Sequence, residues 1–267
     1  HPGHTWPEEL LDELRAKLRK VLTTPGAAKE GSPPRALMQR MMSLNVAEEV
    51  ADEFVPMVLE QSGFERTPAR TTLPGRKPVP AGFKVLIIGG GLTGLLAAIE
   101  LERAGYEYIL IEKNEDVGGC WWKNRYPGVG VDTPSHFYSY SFENSPEWTH
   151  YRPHGADMRE YYQGIADKYD LRRNIRFQTK VTDLSFDQDH ALWNVTVEDV
   201  NTGQRDVIQA NAVFNAFGPA DRWKLPNIPG LESFKGVLTH SAGYDESIDL
   251  KGKKVAVIGT GASSAQI

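Results

Sequence analysis

The chain has 267 residues, a formal net charge of −5 and an apolar share of 40%. That length suggests one large domain or two modest ones, and the mild acidity supplies no basic stripe for a nucleic-acid partner. The longest apolar runs fall well short of the ~20 residues a helix needs to cross a bilayer. The single cysteine, Cys120, excludes an internal disulfide, a CxxC redox pair and a cysteine-based metal centre. No metal site is expected, and a reducing compartment, the cytoplasm, is.

Residues 5 to 22 read as an amphipathic helix. Thr5 and Pro7 suit its start, and Leu10, Leu11, Leu14 and Leu18 recur at helical spacing. Acidic Glu8, Glu9, Asp12 and Glu13 come first and basic Arg15, Lys17, Arg19 and Lys20 last, which complements the helix dipole. Pro25-Gly26 ends it. Further helices are predicted over 34–44 and 47–61, the latter kinked or split at Pro56. Residues 1–64 are thus an N-terminal helical extension whose apolar stripes are too few for much core of their own. They are expected to pack elsewhere, and a homodimer contact is the predicted role. Residues 65–83, with Pro68, Pro74, Pro78 and Pro80, form a linker.

The pattern then changes. Lys84–Ile88 is an apolar run suited to a buried parallel strand, Leu92–Ala104 is helical, Gly105 stops it, and Tyr108–Ile111 is a second buried strand. This is a strand-helix-strand unit of the α/β, Rossmann-like class. Gly89-x-Gly91-x-x-Gly94 falls between strand and helix, the context a dinucleotide loop requires. Gly89 permits the turn, Gly91 leaves room for a pyrophosphate at the helix N-terminus, and Gly94 allows close packing. Glu112 ends the second strand 18 residues after Gly94 (112 − 94), where an acid accepts from a ribose hydroxyl.

Residues 116–128 read DVGGCWWKNRYPG. Gly118-Gly119 suits backbone approach to a ligand, and Trp121 or Trp122 offers a flat wall; a packed aromatic turn is the alternative. Asp132, before Thr133-Pro134-Ser135, reads equally well as a turn cap. A helix is predicted over Met158–Tyr169. Short alternating runs from Ile175 to Ile208, with a turn at Asn201-Thr202-Gly203, predict a small antiparallel insertion. Ala212–Ala216 is a further buried strand ending near Gly218. Lys254–Ile258 is predicted as another buried strand, opening a second fold of the same kind at Gly259-Thr260-Gly261-Ala262-Ser263-Ser264. The predicted divisions are 84–224 and 225–267.

The glycine loop, Glu112, the DVGGCWW segment, Tyr126-Pro127-Gly128 and Asp132, with Tyr138 and Phe142, together resemble the Baeyer-Villiger monooxygenases. The likeness runs from about residue 84 to the end of the chain. The helical extension is similar to that of the 4-hydroxyacetophenone monooxygenase branch, which favours aryl ketones. The resemblance implies FAD at Gly89, Gly91, Thr93, Gly94, Glu112, Gly119, Trp122, Asp132, Tyr138, Val181 and Gly218. It implies NADPH at Thr260, Gly261, Ala262, Ser263 and Gln266. NADPH would reduce the flavin, and one oxygen atom of O2 would be inserted beside a ketone carbonyl to give an ester or lactone. Asp132 matches a carboxylate that orients a catalytic arginine. A second family signature appears as Phe234, Gly236, His240, Tyr244 and Asp245. Tyr244 stands where tryptophan is expected, and tyrosine there is familiar from N- and S-oxidising flavin monooxygenases, the alternative activity. His240, read alone, is a structural histidine. The missing CxxC argues against a disulfide reductase. The resemblance also implies a longer polypeptide with the catalytic arginine after Ile267; the chain alone is then a flavin-binding fragment without turnover.

Overall fold

A computed structural model describes residues 7–25, 31–46, 48–62, 64–65, 77–145, 147–218 and 222–267. The chain divides into two compact units, His1–Thr67 and Pro68–Ile267.

In the first unit, α1 covers Glu8–Thr23, α2 Arg35–Val46 and α3 Val55–Gln61. Pro7 rather than Thr5 occupies the N-cap position of α1; Thr5 lies outside the described residues. The predicted helix over 47–61 is shorter. A 3-10 turn at Asp52–Phe54 precedes α3, and Pro56 sits in the first turn of α3. Proline is favoured there because its missing N–H would be unpaired anyway. Pro56 therefore starts a helix instead of kinking one. Met38, Val55 and Leu59 are the buried core of this unit, with Met42 and Val58 against them. Leu14, Leu18 and Leu22 of α1 remain exposed, at 53%, 53% and 82%.

In the second unit, β1 (Lys84–Ile88), α4 (Leu92–Ala104) and β2 (Glu107–Ile111) follow the predicted order. Gly105 takes the left-handed conformation (φ 75°) and its N–H donates to Leu101 and Glu102 carbonyls, ending α4. After α5 (Cys120–Lys123) and α6 (Gly155–Lys168), β3 (Ile175–Arg176) joins the sheet, and β7 (Ala212–Asn215) completes it. The strand order is β3-β2-β1-β7, all parallel. β4 (Thr179–Asp187), β5 (Leu192–Asp199) and β6 (Arg205–Ala210) form a separate antiparallel sheet.

A parallel sheet must be covered on both faces. Ile87 and Leu110 face Leu95, Ala98 and Ile99 of α4 and Met158, Tyr162 and Ile165 of α6. On the other side, Leu86 and Ile111 pack on Val195, Val197 and Ala210 of the antiparallel sheet. The architecture is therefore helix, parallel sheet, antiparallel sheet. Each fully buried Leu, Ile or Val contributes roughly 1.5–3 kcal/mol relative to an exposed position.

Three further expectations are corrected. Ile175–Arg176 belongs to the parallel sheet rather than the insertion, because β3 pairs with Leu110 and Ile111 of β2. α6 begins at Gly155, three residues before the predicted start, where Asp157 Oδ2 accepts from the His154 N–H at 2.7 Å. Residues 254–258 form no strand: Val255, Val257 and Ile258 are 52%, 45% and 69% exposed. A buried parallel strand needs neighbours on either side, and no described segment pairs with this one. Of the predicted second Rossmann-like fold, the described residues show a glycine loop and the five-residue α7 (Ala262–Gln266).

Asp116, at the head of the 116–128 block, ties that block to the helical layer. It accepts from Arg172 Nη1 at 2.7 Å and from Gln163 Nε2 at 2.8 Å. Burial works to raise its pKa, but Arg172, the Val117 N–H and Gln163 outweigh it and hold the carboxyl below its ordinary value. A folded pKa below the unfolded one stabilises the fold above the ordinary carboxylate range, and this is lost as pH falls through the folded value. Asp116→Asn is expected to cost roughly 1–2 kcal/mol at neutral pH. Thermal midpoints measured from neutral to acid should show the difference from the native protein shrinking as pH falls.

Candidate functional site

The first glycine loop leaves the end of β1 and enters α4. The Gly89 N–H donates to Ile111 O at 2.8 Å, and Gly89 takes φ +101°. The demand for glycine is strongest at Gly94, where a Cβ would stand 1.8 Å from Gly89 O. Only a bare Cα lets the helix come this close to the strand end. Gly91 is the N-cap of α4, and no side chain caps it. The first N–H groups of such a helix point outward with the positive end of its dipole, a ready anion site. Thr93 lies in this first turn.

Residues 118–119 fold over the loop. The Gly118 N–H donates to Gly90 O at 2.9 Å, and a Cβ on Gly119 would stand 3.0 Å from Gly91 Cα. The contact between them is therefore backbone against backbone, and it borders the cradle at the start of α4. Beneath it Glu112 is buried, at 3% exposure. Its Oε2 accepts from the Gly90 N–H at 2.6 Å, and its Oε1 from Asn114 N and Nδ2 at 2.8 and 2.6 Å. A carboxylate offers about four lone-pair sites, so Glu112 braces the loop and keeps capacity for one further donor. Asn114, which fixes that carboxylate, carries no sequence motif that would announce it.

The aromatic block packs beside this cradle. Trp121 Nε1 donates to Tyr138 OH at 3.3 Å, the two rings meeting edge to face. The Arg125 guanidinium lies 5.0 Å over the Trp122 ring. Tyr140 OH donates to Leu92 O at 2.5 Å, linking the block to the first turn of α4. Burial pushes the Tyr138 hydroxyl up, with Cys120 and the Asp132 carboxylate adding to it. Asp132 itself is exposed. Val181 packs into the core between the two sheets. Gly218 (φ 71°) lies two residues past Ala216, whose carbonyl oxygen would be 2.8 Å from a Cβ on Gly89.

A cleft of about 500 Å3 gathers Cys120, Trp121, Tyr126, Trp223, His240 and Ser263 among its walls. It joins the aromatic block to the second glycine loop. Trp223 stacks on His240, with centroids 5.1 Å apart and an interplanar angle of 10°, and His240 Nδ1 accepts from the Ala242 N–H. Of the second signature, His240 alone lines this cleft. Phe234 is exposed against Gly236, Tyr244 OH donates to Ile248 O, and Asp245 accepts from the Ser247 N–H, so these residues shape local turns. In the second loop Thr260, Gly261 and Ala262 are exposed, while Ser263 and Gln266 hydrogen-bond to the 126–130 segment. Trp223 and the half-buried Arg159, which donates to Trp121 O, carry no residue pattern that would announce them, and Tyr126 is announced only as part of Tyr126-Pro127-Gly128. Burial lowers the pKa of Arg159, and neighbouring Arg125 lowers it further. Among the described residues, no three His, Cys, Asp or Glu gather to hold a metal, and no helix is long and apolar enough to cross a membrane.

A parallel sheet with a glycine loop at a strand end, an uncapped helix behind it and a buried acid on the next strand define a dinucleotide-binding α/β protein. The chain belongs to the flavin-binding monooxygenase-like family, whose pattern matches residues 82–267. It is 40% identical over 185 residues to a Baeyer-Villiger monooxygenase of Streptomyces coelicolor, covering 69% of this chain and 34% of the relative. An open crystal structure of cyclohexanone monooxygenase superposes with a TM-score of 0.63 at 34% identity, covering 69% of this chain and 36% of that one. The structure of OTEMO in complex with FAD and NADP superposes with a TM-score of 0.61 at 34% identity, over 72% of this chain and 36% of that one. The chain thus spans about a third of the length of the curated relatives it matches.

Gly94→Ala is expected to destabilise the protein by roughly 1–3 kcal/mol, since Gly89 O must move to admit the methyl group. Gly164→Ala, in α6 with nothing within 4 Å of its Cβ, should instead be neutral or gain up to about 1 kcal/mol. Urea unfolding of the two variants checks the contrast.

Proposed function

We propose that this chain holds FAD in the Gly89–Gly94 loop and belongs to an NADPH-dependent monooxygenase of the Baeyer-Villiger type. The observation that carries the reading is the backbone surface that Gly91 and Gly119, packed against each other, present at the uncapped start of α4. A pyrophosphate suits this surface, because no side chain caps the helix start and the helix end favours negative charge. Glu112 has one acceptor site left for a ribose hydroxyl. Gly89, Thr93, Gly94, Trp122, Tyr138 and Gly218 complete the proposed FAD surroundings, with Val181 behind the sheet. The second loop, with Thr260, Gly261 and Ala262, is proposed to hold NADPH. Bound in the first loop, the flavin would supply the redox and oxygen chemistry, and this chain's residues bind, orient and exclude water. Asp132, exposed near Tyr138, is proposed to hold a cationic side chain in place beside the flavin. The substrates are proposed to be O2 and aryl or cyclic ketones. The similarity to a Baeyer-Villiger relative, and to a cyclohexanone monooxygenase structure, supports that chemistry.

N- or S-oxygenation is the second reading, motivated by Tyr244. Its hydroxyl is engaged with Ile248 O, so the motive rests on residue type. The full-length protein, given an aryl ketone and a thioether in competition, should form the ester as main product, and a dominant sulfoxide would favour the second reading. In the same assay Asp132→Ala should retain FAD and slow flavin reduction and ester formation at least tenfold, on the order of one lost charged interaction. Unchanged stopped-flow rates would remove that role. Steady NADPH oxidation by residues 1–267 alone would refute the reading of this stretch as a non-catalytic fragment. The single cysteine suits a cytoplasmic setting.

The exposed leucines of α1 support a homodimer contact through residues 1–64. Deleting these residues should halve the mass in solution, measured by light scattering; an unaltered mass would dismiss the contact.

A further inference from the structure

Tyr126 joins two parts of the chain that lie 137 and 140 residues apart. Its ring is buried, at 8% exposure. Its hydroxyl donates to Gln266 Oε1 at 2.8 Å and accepts from Ser263 Oγ at 3.1 Å. The other end of the Gln266 amide donates to Gly130 O at 2.8 Å. Both functional groups of that side chain are therefore engaged by one five-residue stretch, 126–130. Packing closes the same contact: a Cβ on Gly128 would stand 2.2 Å from Gln266 O. On its other side the stretch is fixed to the start of α6, where the Gly155 N–H donates to Val129 O at 2.8 Å and the Val131 N–H to Pro153 O at 2.9 Å.

We propose that Tyr126 is a positioning residue that latches α7, and with it the second glycine loop, onto the segment that runs into Asp132. The proposal rests on the reading that the second loop holds NADP(H). Ser263 and Gln266, which the resemblance assigns to the nucleotide, act here through Tyr126 and Gly130. A shift of the second loop then pulls on residues 126–130, and Asp132 lies two residues beyond. Side chains in one hydrogen-bonded network couple, so their removal is not additive.

The test compares the native full-length protein with Tyr126→Phe, Gln266→Leu, the double variant and Gly128→Ala. Hydrogen exchange is followed in peptides covering 126–132 and 259–266, without nucleotide. NADP+ affinity is read from the perturbation of flavin absorbance. Each single variant should raise exchange in both peptides together and weaken NADP+ binding about fivefold, the scale of one hydrogen bond, with FAD content unchanged. The double variant should be no more than slightly worse than either single one. Gly128→Ala keeps both side chains and forces them apart, so it should reproduce the pattern. Exchange that rises in one peptide only or in neither, or single effects that multiply in the double variant, would overturn the latch. A native protein that retains no FAD or ignores NADP+ would instead refute the nucleotide reading, and the exchange measurement would still decide the latch.

Discussion

The approach of α4 to the end of β1 is the constraint on which the site depends. With Gly94 against Gly89 O, the helix axis is brought so close to the strand that its first turn faces the space above the sheet. Residues 118–119 can then reach across and hydrogen-bond to the loop itself, and Tyr140 can reach Leu92. A larger residue at Gly94 would tilt the helix away and open the cradle from below. The apolar layers on either side make this geometry rigid: Leu95, Ala98 and Ile99 fix α4 on one face, and the antiparallel sheet fixes β1 and β2 on the other.

Polar groups inside this frame are satisfied within short reach. Glu112 is buried, and its cost is offset by three N–H donors from residues 90 and 114. Asp116 has an arginine and an amide. Tyr162 is different: its hydroxyl is buried and has no partner among the described residues. It stands in a cluster of tyrosines, meeting the rings of Tyr140 and Tyr161 edge to face. Burial pushes its hydroxyl well above the ordinary range, so it stays neutral.

Much of this frame was legible in the sequence. β1, α4 and β2 announce themselves because a strand buried on both faces is a short apolar run, and glycines bound it. The glycine loop and Glu112 follow from fixed spacing. What escaped depends on partners distant in sequence. β3 is two residues long, and only its pairing with Leu110 and Ile111 makes it a strand. Residues 254–258 show the reverse: apolar residue types read as a strand, but no described neighbour pairs with them. The start of α6 was missed because His154 is not a usual capping residue. Tyr126 sat within a recognised motif, but its role depends on Ser263 and Gln266. Of the second signature, the structure separates His240, which lines the cleft, from Tyr244 and Asp245, which hold turns.

The place of β7 in the sheet has a consequence for biosynthesis. β1 is an inner strand, and one of its two neighbours is β7. The Lys84 N–H bonds to Asn211 across 127 residues of chain. At translation rates of about 5–20 residues per second, β1 leaves the ribosome roughly 6–25 s before that neighbour is made. For that interval the edge formed by Val85, Leu86 and Ile87 is apolar and unpaired, the kind of edge that recruits other chains. Closure of so long a loop also slows folding. The order of strands therefore places the exposed edge of the nascent chain at the strand that carries the glycine loop.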